Sequence, residues 1–372
     1  MRVGVPTEVK NNEYRVALTP AGASELTRRG HEVLVQAGAG LGSAITDAEY
    51  AEAGAQIVPG ADDTWGRAEL VLKVKEPVAE EFGRLRPGLT LFTYLHLASA
   101  PELTRELLDK QVTGIAYETV QTATGELPLL APMSEVAGRL APQAGAYQLM
   151  RPYGGRGVLP GGVPGVAPAR VVVIGAGVAG MNAAQIAVGM GADVSLLDLN
   201  VDKLRAADKI FGNRVRTLVS TPWEVEQQAV EADMIIGAVL IPGAKAPTVI
   251  PHSLVQKMKP GAVLVDISID QGGCFEDSRP TTHSDPTYRV GETIFYCVAN
   301  MPGAVPHTST RALTNVTLPY AAALADRGTL PALRADPALA RGLNTHGGRL
   351  TEEPVGAAFG IPVTPQAQVL AE

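Results

Sequence analysis

Four side chains able to move protons or grip an anion stand just past apolar runs of the sequence. Arg15 follows RVGVP within KNNEYRVALTP. Lys75 closes LVLKVK ahead of Pro77, His96 closes LTLFTYLH, and Asp270 ends AVLVDISID before two glycines. A guanidinium makes two hydrogen bonds to a carboxylate. An ammonium holds the same group or polarises a carbonyl oxygen, while imidazole exchanges protons near neutral pH. Each residue also has an ordinary reading: solvated charge for Arg15 and Lys75, a satisfied structural residue for His96, a capping aspartate for Asp270. What favours chemistry is shared placement, because ligands of open α/β sheets collect at the carboxyl ends of strands. On that reading Arg15, Lys75 and His96 form a cation cluster facing Asp270 across a cleft between domains, an arrangement suited to a small anionic substrate.

A second group of residues reads as a nucleotide site. RVVVIGAGVAGMNAAQIAVGMGADVSLLD carries Gly175-x-Gly177-x-x-Gly180 between a β-branched run and a helical pattern. Gly175 permits a tight turn, Gly177 lets the backbone approach a pyrophosphate, and Gly180 lets helix and strand pack closely. The helix that opens at Val178 and Ala179 offers free N–H groups and a partial positive charge to phosphates. Asp198 ends the next apolar run, 18 residues beyond Gly180. A carboxylate there accepts ribose hydroxyls and repels a 2′-phosphate, which favours NAD(H) over NADP(H); Lys203, close by, works against that preference. GAVLIPG and CVANMPG are further strand-to-loop exits, where Val239, Leu240, Val298, Asn300 and Met301 would form an apolar slot with an amide for nicotinamide, with Ile267 beside Asp270. Asn300 reads equally as a turn residue. FAD and S-adenosylmethionine sites share parts of this signature, so the motif establishes a nucleotide and leaves the reaction open.

The elements that must position these groups alternate along the chain. In the first third, RVGVP, EVLVQ, LVLKVK, LTLFTYLH and VTGIAYE read as strands, with helices over 20–29, 47–53 and 101–110. One long helix is predicted over 133–150, started by Pro132 or Ser134 and bent by Pro142. The Gly/Pro-rich stretch 151–169 reads as a hairpin over the mouth of the next domain. RVVVIG, DVSLLD, RVRTLVS, DMIIGAV, AVLVDIS and IFYCVA then alternate with helices over 178–190, 201–211, 222–231 and 251–258, enough for a complete dinucleotide-binding sheet. A last long helix is predicted over 309–327. The fold expected is α/β, with two Rossmann-like domains of parallel sheets linked by long helices. The nucleotide domain, 131–308, is inserted into a discontinuous substrate domain of 1–130 and 309–372.

Composition narrows the partners. The 372 residues carry a net charge of −7 and no long basic run, which argues against nucleic acid. Cys274 and Cys297 are the only cysteines, too few for a disulfide framework or a cysteine-rich metal site, and no metal is expected. The uncharged stretch 171–192 is long enough to span a bilayer, but its glycines, Asn182 and Gln185 suit a strand, turn and helix of a soluble core. The amino terminus lacks the apolar core of a signal peptide, which points to the cytoplasm.

Taken together, GVPTEVKNNEYRVALTPAG, KVKEP, TYLHLA, APMSEVAGR, GAGVAGMNAAQIAVGMGA, VDISIDQGGCFEDSRPTTHSDPTY and YCVANMPGAVPHTSTRALTN span nearly the whole chain. In these stretches the sequence resembles the alanine dehydrogenase/pyridine nucleotide transhydrogenase family. The resemblance implies reversible oxidation of L-alanine by NAD to pyruvate and ammonium, and a homohexamer. It implies Arg15 and Lys75 as substrate ligands and His96 and Asp270 as the acid/base pair. It also implies that Ser134, Asp198, Lys203, Ser220, Arg279, Asn300 and Met301 line the cofactor. His307 departs from the pattern, which places an arginine after GAVP. Within the same architecture, a transhydrogenase subunit, a saccharopine- or lysine-type dehydrogenase and a silent nucleotide-binding regulator are the alternatives.

Overall fold

The computed structural model describes residues 1–239 and 246–371; Leu240 lies outside them. Six strands come from the first third: β1 (Arg2–Val5), β2 (Glu32–Gln36), β3 (Gln56–Val58), β4 (Leu70–Leu72), β5 (Thr90–Thr93) and β6 (Thr113–Ala116). All are parallel, in the order 3-2-1-4-5-6. The crossings include α1 (Pro20–Arg28), α2 (Asp47–Glu52), α3 (Ala61–Arg67) and α4 (Pro101–Asp109). Local chemistry sets their starts. Thr19 caps α1 with Pro20 at its first position. Thr46 and Glu49 form a reciprocal capping box on α2. In this first third β3 and α3 had no sequence expectation, because three residues of QIV and the polar ADDTWGR carry too short a periodic signal.

α5 (Ala131–Gln148) runs through Pro142. The second series then gives β7 (Arg170–Ile174), α6 (Val178–Gly189), β8 (Asp193–Asp198), α7 (Val201–Phe211), β9 (Val215–Val219), α8 (Pro222–Glu231) and β10 (Met234–Gly237). It continues with α9 (His252–Val255), β11 (Val263–Asp266), β12 (Thr287–Val290) and β13 (Thr293–Tyr296). The sheet order β12-β13-β11-β10-β7-β8-β9 is the six-strand dinucleotide arrangement with one added antiparallel edge strand, β12. Its central strands are buried on both faces. Val171, Val173, Met234, Ile236, Val263 and Val265 join one core, while Val172, Ile174, Ile235 and Leu264 join the other. This is why the strands read as unbroken apolar runs.

The chain returns through α10 (Pro306–Arg327) to α11 (Thr329–Ala335), α12 (Pro337–Ala340), β14 (Leu343–His346), β15 (Arg349–Leu350), α13 (Glu353–Phe359) and α14 (Gln366–Ala371). β14 pairs antiparallel with β6 and extends the first sheet. The chain divides into two compact units, Met1–Met133 with Val305–Glu372, and Ser134–Ala304. Among the described residues no helix is long and apolar enough to cross a membrane.

The Gly/Pro-rich segment corrects an expectation. It forms a small turn bridged by Val163 and Val166, but it lies at the amino ends of the strands, not over their mouth. Arg156 N donates to Gly261 O, Arg156 Nε pairs with Asp233 at 2.9 Å, and Ala169 N donates to Pro160 O. These partners stand just before β10, β11 and β7. Composition marks a loop but does not say which edge of the sheet receives it.

Candidate active-site residues in the two units

In the first unit, Arg15, Lys75 and His96 leave the carboxyl ends of β1, β4 and β5, three adjacent strands. β4 is shorter than the run LVLKVK, yet the ladder continues irregularly beyond it: Lys73 N donates to Phe92 O and Tyr94 N to Val74 O. Lys75 and His96 thereby follow closely on paired residues of neighbouring strands.

Arg15 is 2% exposed and lies in a hollow of about 360 Å³ lined also by Thr7, Glu8, Lys10 and Glu13. Glu13 grips it from two positions along the chain, accepting from Nε at 2.7 Å, from Nη2, and from the backbone N–H at 3.0 Å. Nη1 meets Met133 Sδ at 3.0 Å. Burial opposes the guanidinium charge, and the Glu13 carboxylate more than offsets it, so the group is held above its ordinary range.

Lys75 is 8% exposed, and the described residues give its ammonium no hydrogen-bond partner. Its backbone is fixed by Glu8, whose carboxylate accepts from Val74 N at 2.6 Å and Lys75 N at 3.4 Å. Glu8 also takes the fully buried Lys73 ammonium at 3.0 Å, which Glu81 shares at 2.8 Å. Burial works against ionisation of the adjoining Glu76, but Lys75, Lys10 and His96 outweigh it and its carboxyl sits below the usual range.

His96 sits in the left-handed region at φ 47. Its ring stacks parallel to Tyr94 at 5.8 Å, and the Tyr94 hydroxyl donates to Leu129 O. Glu118, just past β6, accepts the backbone N–H of His96 at 2.6 Å and of Leu95 at 3.1 Å. Glu8, Glu13 and Glu118 were missed in the sequence. Only Glu13, two positions from Arg15, carried a usable signal.

One acidic group behind this loop yields a test. Burial, then the neighbouring Glu118 and Glu353, push the Glu352 carboxyl up to about 7 from 4.5. Between those values the folded chain keeps a proton that the unfolded chain releases, so stability falls as pH rises through the window. Glu352→Gln is expected to raise Tm at pH 8 and to leave it unchanged at pH 5. An equal change at both values, read by differential scanning fluorimetry, would contradict the assignment.

In the second unit the three motif glycines serve three different ends. Gly175 has φ 105, and a Cβ there would meet Ala238 O at 2.4 Å. A Cβ on Gly180 would sit 1.7 Å from Gly175 O, so no other residue fits. On Gly177, which caps α6, a Cβ would meet nothing within 4 Å, and the backbone is open to a phosphate. Ser134 lies one turn before Gly138, where α5 packs so closely on α6 that a Cβ would meet Ala179 O at 2.2 Å. Asp198 ties the loop together: it accepts from Ala176 N and Asn200 N, each at 2.7 Å, with Lys203 Nζ 3.8 Å away. Ser220 N donates to Asp198 O, which brings the β9 exit alongside. Val178, Ala179 and Val239 border the same strand ends.

The strand expected over AVLVDIS stops short of Ser268 and Asp270. β11 ends at Asp266, and 267–271 turn as a short 3₁₀ segment that leaves Ile267 half-buried and Asp270 exposed. Buried Asp266 staples this loop at both ends, accepting from Ser268 N and Cys274 N at 2.9 Å and from the Ser278 hydroxyl. Further along, the Arg279 guanidinium lies over the Tyr288 ring at 4.1 Å. Val298 and Met301 are buried, and Asn300, at φ 65, accepts His283 Nε2 on its carbonyl. His307 is exposed at the start of α10, its carbonyl accepting from Arg311.

The chain matches the family model described as alanine dehydrogenase/PNT, N-terminal domain, over residues 4–137, and its C-terminal domain over 141–353. It is 64% identical to an alanine dehydrogenase of Mycolicibacterium smegmatis and 65% to one of Mycobacterium tuberculosis, each over 371 residues and all of both chains. A solved L-alanine dehydrogenase superposes with a TM-score of 0.94 at 51% identity, covering 97% of this chain and 99% of the other. A transhydrogenase from Sinorhizobium meliloti superposes at 0.79 with 26% identity, covering 95% and 99%.

Proposed function

Because the chain belongs to the alanine dehydrogenase/pyridine nucleotide transhydrogenase family, we infer that it oxidises L-alanine reversibly to pyruvate and ammonium, with NAD as the pyridine nucleotide. The observation that carries the reading is the exit of Arg15, Lys75 and His96 from three neighbouring strands of one sheet. Arg15 and Lys75 bind the substrate carboxylate. His96 and Asp270 share the proton transfers: one takes the proton of the substrate ammonium, leaving the neutral amine from which hydride can depart, and together they serve the addition of water to the imine carbon and the departure of ammonium. In the reverse direction Lys75 and His96 polarise the ketone of pyruvate. When bound, the nicotinamide supplies a hydride acceptor. It would be held by Gly175, Gly177, Val178, Ala179, Gly180 and Ser134 at the phosphates, by Asp198, Lys203, Ser220 and Arg279 at the adenosine side, and by Val239, Leu240, Ile267, Val298, Asn300 and Met301 beyond. The free, buried cysteines fit a reducing cytoplasm.

NADH oxidation that requires both pyruvate and ammonium tests the activity. Hydride exchange between two nucleotides without either would favour the transhydrogenase reading. A homohexamer is expected to show six times the 38.8 kDa chain mass in light scattering. Asp198→Ala removes a charged acceptor of ribose hydroxyls and is expected to weaken NADH binding by about 10–100-fold. It should also narrow the preference over NADPH; an unchanged ratio of the two dissociation constants would refute the contact.

A further inference from the structure

His96, at φ 47, occupies a backbone conformation that ordinary L-residues avoid. Such a conformation persists only where the surroundings over-determine it, and here the surroundings are explicit. The N–H groups of Leu95 and His96 converge on one carboxylate, with Glu118 Oε1 at 3.1 and 2.6 Å and Oε2 3.2 Å from Leu95 N. The same Oε1 stands 3.9 Å from His96 Nδ1. On the far side of the turn His96 O accepts both Ser99 N at 3.0 Å and Ser99 Oγ at 2.9 Å. We propose that Glu118 is the positioning residue of His96: its carboxylate pins the left-handed turn and so aims the imidazole, without itself touching substrate.

The groups facing the imidazole are few. Tyr94 covers one ring face, and Glu118 approaches Nδ1. Glu76 lies within electrostatic reach of the ring, and Glu352 within reach of Glu118. Of these only Glu118 bonds the His96 backbone, and it holds the turn from the side opposite Ser99. The proposal rests on the acid/base reading of His96, and the experiment separates the two.

Glu118→Ala, Glu118→Gln and His96→Ala are compared in the full-length enzyme. Each lost charge-assisted hydrogen bond to a buried backbone group corresponds to about a tenfold effect or more. Glu118→Ala is therefore expected to lower kcat at least tenfold while KM for pyruvate and the dissociation constant of NADH stay within about twofold. Glu118→Gln keeps an acceptor oxygen and should fall between the two. Hydrogen exchange should speed up in a peptide covering 94–99 in the alanine variant. If that variant does not fold, the glutamine variant carries the same readouts, with the same directions. Wild-type kcat and exchange in the Glu118 variants beside an inactive His96→Ala would overturn the positioning role alone, as would a loss confined to KM. A fully active His96→Ala would instead overturn the acid/base reading.

Discussion

His96→Ala and Asp270→Asn are each expected to lower kcat by about 10²–10⁴-fold, the usual contribution of a general acid or base, while NADH still binds. The two residues sit in different units and are held in different ways. His96 is fixed by backbone bonds to Glu118 and by the Tyr94 ring. Asp270 is exposed on a turn stapled from below by Asp266, which Asp270→Asn leaves intact. Loss of activity in His96→Ala could come from the turn as well as the ring. His96→Asn resolves this, because asparagine tolerates φ 47 and cannot shuttle protons. Equal losses in the alanine and asparagine variants assign the effect to the imidazole. Near-normal turnover in both His96 variants and in Asp270→Asn would remove both residues from the chemistry.

What the sequence disclosed of this site follows from which interactions are local. The strands at Glu32–Gln36 and Asp193–Asp198 and the helices at Val201–Phe211 and Pro222–Glu231 coincide with the expected segments, because apolar periodicity and caps such as Asn200 and Thr221 act within a few residues. β12 and β15 escaped as short edge strands, and β14 as a four-residue strand, mostly polar in type, between β6 and β15. The chemical residues were legible as polar groups interrupting apolar runs. Their holders were not. Glu8 meets Val74 and Glu118 meets His96 across 66 and 22 residues, distances set by sheet order and invisible to any window. The runs at 73–75 and 94–96 extend beyond the regular strands for a related reason: past Leu72 and Thr93 the pairing continues only irregularly, while the strand-like sequence pattern goes on.

Arg15 tests how far structure and function can be separated at one residue. Its side chain and that of Glu13 are 2% and 0% exposed. Arg15→Met leaves the Glu13 carboxylate buried without its guanidinium, and breaking a buried pair from one side costs about 3–5 kcal/mol. Stability to urea is expected to fall by that order, and kcat/KM for alanine to fall with it. Glu13→Gln should also destabilise, by stranding the guanidinium. The double variant Glu13→Gln, Arg15→Met has no buried charge to strand, so most of the stability should return. Activity should not return, because Lys75 alone is left to hold the substrate carboxylate. Recovery of kcat/KM along with stability in the double variant would show that Arg15 serves the fold alone. Recovery of stability with kcat/KM still at least tenfold down, a loss of about 1.4 kcal/mol of transition-state binding, would place the guanidinium on the substrate, with Glu13 as the group that keeps it charged and aimed.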